Sequence, residues 1–78
     1  MPKPKPKKKP EGRVYVRPMA LKIGDRFTGA RGVWRVIGRP FSASGGKNVF
    51  ARAEFVKQPS MIEVHLWGAH ERIAVTRG

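Results

Sequence analysis

Glycine and proline interrupt this chain so often that no stretch is left for a long helix. They make up 16 of its 78 residues, nine Gly and seven Pro. Between the breaks lie short runs in which polar and apolar residues alternate, and a period of two belongs to a half-buried strand. Arg13-Val14-Tyr15-Val16-Arg17, bounded by Gly12 and Pro18, predicts an edge strand. Met19–Ile23 is a brief apolar stretch that stops at a Gly24-Asp25 turn. Arg26–Thr28 and Val33–Ile37 read as the arms of a hairpin around Gly29-Ala30-Arg31-Gly32, whose glycines can take positive φ. Phe41–Asn48 is expected to be the longest loop. Val49–Val56 is the clearest strand, with Val49, Ala51, Ala53 and Phe55 on one face.

Lys57–Ser60 then predicts a tight turn, and Met61–Trp67 a returning strand. Its pattern points Ile62, Val64 and Leu66 inward and Glu63 and His65 outward. Trp67 shares the outward parity, although a domain this small also needs its area in the core, as it needs that of Trp34. A last run, Glu71–Arg77, closes the sheet. About five short antiparallel strands at this spacing predict an all-β fold, a small SH3-like or otherwise curled barrel.

The leader is a different kind of sequence. After Met1, residues 2–10 contain only proline and lysine. Each proline removes an N–H and fixes φ, so neither a helix nor a central strand can form. The expected organisation is therefore a disordered basic arm over residues 1–12 and a small β-barrel domain over 13–78. A body of this size buries a modest share of its surface and is expected to be stable by only a few kcal/mol.

The chain has no cysteine, two histidines and five carboxylates. Disulfides and thiolate metal sites are thus excluded, the rest is too sparse for a metal cage, and no cofactor is expected. His65 and His70 lack an evident orienting carboxylate and nucleophile, while Glu63 and Glu71 are expected to pair with Arg72 or Arg52 across strands. The chain is read as non-enzymatic. Ser42–Lys47 superficially resembles a phosphate loop, but its spacing is wrong and no helix follows. No apolar run approaches the roughly 18 residues of a membrane span, and the leader lacks the apolar region of a signal peptide, so a soluble cytoplasmic protein is expected.

The net charge of +12 is shared by both parts. Residues 1–18 hold seven bases and one acid, a balance of +6; residues 19–78 hold ten bases and four acids, again +6. Seven of those ten are arginine, whose planar fork suits phosphate oxygens and base edges. Nucleic acid is therefore the expected partner, bound without an enzymatic step and with low sequence specificity, DNA slightly favoured over RNA. The candidate contacts are Lys3, Lys5, Lys7, Lys8 and Lys9 of the arm and Arg31, Arg35, Arg39, Lys47 and Arg52 of the body. Phe50 or Trp67 beside these cations would offer bases a stacking surface.

Leu21-Lys22-Ile23-Gly24-Asp25-Arg26-Phe27 followed by Gly32-Val33-Trp34-Arg35-Val36-Ile37 resembles the opening hairpin of SH3-like barrels, including the KOW-type domains of ribosomal and transcription proteins. That resemblance implies RNA or protein binding. The whole chain also resembles the small basic proteins of actinobacterial phages, which implies a host-cytoplasm setting. An alternative role follows: a module that docks on an acidic host or ribosomal protein, by peptide binding or strand addition.

Overall fold

The computed structural model describes residues 13–29 and 31–77. The five arm lysines and the expected disorder of residues 1–12 lie outside the described residues.

The described chain is all-β. Seven strands, β1 (Arg13–Val16), β2 (Arg26–Gly29), β3 (Gly32–Val36), β4 (Phe41–Ala43), β5 (Asn48–Phe55), β6 (Gln58–Gly68) and β7 (Ile73–Thr76), form one antiparallel sheet. Its order is β1-β7-β2-β3-β5, with β6 along one side of β5 and β4 beside β3 along the other. The sheet curls. Although β3 and β5 separate β2 from β6 within it, the rings of Phe27 and Trp67 meet edge-on, centroids 5.3 Å apart.

That curl encloses the core. Trp34 and Val36 of β3, Ala51 and Ala53 of β5 and Val75 of β7 are almost wholly buried. The two alanines leave volume beside β5, and bulky rings from both flanks occupy it: Trp34 lies 4.6 Å from His65 and 5.0 Å from Phe55, centroid to centroid. Leu21 and Ile73 extend the same cluster.

Three expectations change. The loop expected over 41–48 is instead strand β4 followed by a 3₁₀ turn at Ser44–Gly46, carried by positive φ at Ser44, Gly45 and Gly46. The turn expected at 57–60 falls at Val56-Lys57, since Phe55 already pairs with Gln58. Most importantly, β6 presents the opposite face. Glu63, His65 and Trp67 turn toward the core, while Ile62, Val64 and Leu66 remain 52, 53 and 57% exposed.

Register explains that reversal. Continuing the pairing of Phe55 with Gln58 would set Ala51 opposite Ile62 and Val49 opposite Val64, both inside. The ladder breaks between Glu54 and Phe55, and Glu54 pairs with Ile62 where Pro59 would have stood, a displacement of three residues. An odd displacement moves every side chain to the other face. His65 therefore stands opposite Ala51, and Trp67 opposite Val49.

Candidate nucleic-acid interface

Cross-strand partners share a face, so the registers can be followed across the sheet. On the outer face, Arg13 stands opposite Thr76, Thr76 opposite Arg26, Arg26 opposite Arg35, and Arg35 opposite Glu54. Strands are spaced by about 4.8 Å, so three arginines and a threonine fall within roughly 15 Å. Tyr15, two residues from Arg13 on the same face, is 66% exposed. Arg52 continues the basic surface on β5, two positions from Glu54 and also facing outward. Gly12 is bonded to Arg13, so the Lys/Pro leader joins the body at the β1 end of this row.

The acids near the row are already engaged. Arg35 donates from Nε to Glu54 Oε2 at 2.8 Å. Asp25 is buried and accepts from Arg77 Nε at 2.8 Å and from the Lys22 N–H at 2.9 Å. Glu63 pairs with Arg31 rather than with Arg52 or Arg72, and Glu71 accepts the Gly68 N–H at 2.9 Å. Both expected carboxylate pairings are thus replaced. The reversed face of β6 carries Glu63 toward Arg31, and the Gly68–Glu71 turn satisfies Glu71 locally. Among the described residues, no ion pair involves Arg13, Arg26 or Arg52.

The expected contact residues therefore separate. Arg35 and Arg52 share the outer face, but Arg35 is held by Glu54. Arg31 reaches toward the core side, where its guanidinium lies 5.7 Å from the centre of the Trp34 ring. Arg39 lines a cleft with Met19, Leu21, Lys22, Ile23 and Pro40. Lys47 precedes β5 at the end remote from Arg35. Trp67 is turned inward and offers no outer stacking surface, whereas Phe50 stacks on the exposed Phe41, centroids 5.4 Å apart.

Arg13, Arg26 and Tyr15 belong to the row although they are not among the contacts expected from the sequence. Alternation along 13–17 already placed Arg13 and Tyr15 on one face. Nothing in the sequence indicated that β7 would insert between β1 and β2 and so align Arg13 with Arg26.

Among the described residues, β2 and β7 pair only at Arg26 and Thr76. Beside this junction lies a cleft of about 370 Å³ lined by Arg13, Phe27, Thr28, Trp67 and Arg72 among others. The basic row thus borders a mostly polar cleft whose lining also includes Glu71.

No family model, curated protein or solved structure matches this chain. No helix among the described residues is long and apolar enough to cross a membrane.

Proposed function

We propose that the protein binds nucleic acid without catalysing a reaction, through phosphate contacts of low sequence specificity, with duplex DNA ahead of RNA. The observation that carries this reading is the direct opposition of Arg26 and Arg35 in a row that also holds Arg13. Like charges directly opposite each other destabilise a sheet. Glu54 compensates Arg35, and a phosphate along the row would compensate Arg26 and Arg13. Arg52 flanks the contact and the Lys/Pro arm extends it from the Arg13 end. Arg31 and Arg77 serve internal carboxylates and stand outside the binding set.

Fluorescence anisotropy with a labelled DNA duplex, repeated at several salt concentrations, tests the reading. Affinity should fall steeply with salt, and removing residues 1–10 should flatten that dependence. Affinity that ignores both salt and the arm would exclude it. The same titration with single-stranded RNA decides the preference.

A further inference from the structure

β6 is the longest strand, and among the described residues it pairs only with β5. Its other edge is a row of backbone groups open to another strand, a site that folded proteins normally protect with proline, lysine or a covering element. Pro59 guards only the beginning. The outward side chains from Ile62 to Leu66 are all apolar and more than half exposed. An edge that is both open and apolar calls for an occupant.

We infer that the occupant is a second copy of this chain, paired antiparallel through β6 about a two-fold axis at Val64. The sequence around Val64 supports this choice, because Met61-Ile62-Glu63-Val64-His65-Leu66-Trp67 is close to a chemical palindrome. Antiparallel pairing centred there sets Ile62 against Leu66 and Val64 against Val64 on the outer face. On the inner face it sets Glu63 against His65 and Met61 against Trp67. Each opposition is apolar with apolar or acid with base; the Val64 pair lies on the axis and every other pair occurs twice, as an isologous interface requires. Shifting the register by one residue in either strand would set apolar side chains against Glu63 or His65.

The strong positive charge of each chain opposes assembly and is screened by salt, whereas salt does not weaken the apolar contacts of the edge. On the outer face the two Arg52 side chains, each one strand inside the joint, stand about 14 Å apart, beyond the Debye length of about 8 Å at physiological ionic strength. Dimerisation should therefore strengthen with salt, opposite in sign to nucleic-acid binding. The two proposals can fail separately.

The test uses the full chain, treated with nuclease, by sedimentation velocity at rising protein concentration in about 1 M salt, where the Debye length is ~3 Å. The expected mass is twice the 8.7 kDa of one chain. Val64→Lys sets two ammonium groups against each other at the axis and should keep the chain at 8.7 kDa. Val64 is half-exposed, so circular dichroism of this variant should match the parent. Register is read from cysteine variants, since the chain has no cysteine of its own. Val64→Cys should cross-link to itself under mild oxidation much faster than Ile62→Cys, while Ile62→Cys mixed with Leu66→Cys should form the mixed dimer. A single-chain mass at every concentration, as expected if a strand of another protein normally occupies the edge, would overturn the inference. Equal cross-linking of Val64→Cys and Ile62→Cys would also overturn it.

Discussion

Arg77 binds Asp25 with two nitrogens, Nε to Oδ1 at 2.8 Å and an Nη to Oδ2 at 3.1 Å, joining positions 52 residues apart. The same Nη also donates to the Ala20 carbonyl oxygen at 3.0 Å. Asp25 is buried, and its backbone carbonyl receives the Val36 N–H at 2.8 Å. One aspartate thus fastens the end of the chain to the entry of β2 and to β3. Asp25→Ala should cost about 2–3 kcal/mol, because it removes a charged acceptor and leaves the Lys22 N–H without its carboxylate. Urea unfolding measures the loss; a change below about 0.5 kcal/mol, ordinary for a surface substitution, would show the clasp to be incidental.

Burial among Phe27, Trp34 and Trp67 lowers the pKa of His65, with Arg31 adding to the effect and Glu63 opposing it. The unfolded chain therefore takes up this proton more readily than the folded one. Stability should hold above the ordinary histidine value near 6.5, then decline as pH falls through it toward the lower folded value, where the decline levels off. The urea midpoint should drop as pH falls from neutral through the ordinary histidine value. His65→Gln should flatten that slope even if it lowers stability overall, and an unchanged slope would place the acid sensitivity elsewhere.

Gly32 adopts φ of +141°, and a Cβ there would lie 3.0 Å from Cε1 of Phe55. Gly32→Ala is therefore opposed by backbone strain and by a ring already packed on Trp34. The expected cost is about 2 kcal/mol or more. Gly45, also at positive φ, has open space around it, so Gly45→Ala carries backbone strain alone. Paired thermal melts should rank Gly32→Ala as the less stable.

On the binding reading, Arg13→Ala with Arg26→Ala removes two phosphate contacts. The slope of log affinity against log salt should fall by about 1.8 on duplex DNA. Arg31→Ala, whose guanidinium already serves Glu63, should leave the slope nearly unchanged. Equal effects from both variants would mean that diffuse charge, rather than the outer row, governs binding.

Much of the fold could be read from the residues. The alternation Val49-Phe50-Ala51-Arg52-Ala53 identified one face of β5 that is buried, and Trp34 lies in the core, as a domain this small needs its area there. The same rule failed on β6. Ile62, Val64 and Leu66 are the apolar set by composition, yet three residues without partners on β5 shift the ladder by an odd number and turn that set outward. The candidate site was only partly legible for a similar reason: Arg35 and Arg52 lie on one face, but Arg31 pairs with Glu63 beside the Trp34 ring and Arg13 joined the row from a distant strand.

Composition and local pattern determined that the chain makes short strands, that both its leader and its body are cationic, and that no cysteine chemistry holds it together. These properties belong to single residues or to neighbours a few positions apart. The tertiary structure decided which arginines stand side by side, which acids neutralise them and which face of β6 meets solvent. Those outcomes depend on strand order and on one irregularity in register, and both are set by how separate runs pack together rather than by any run alone.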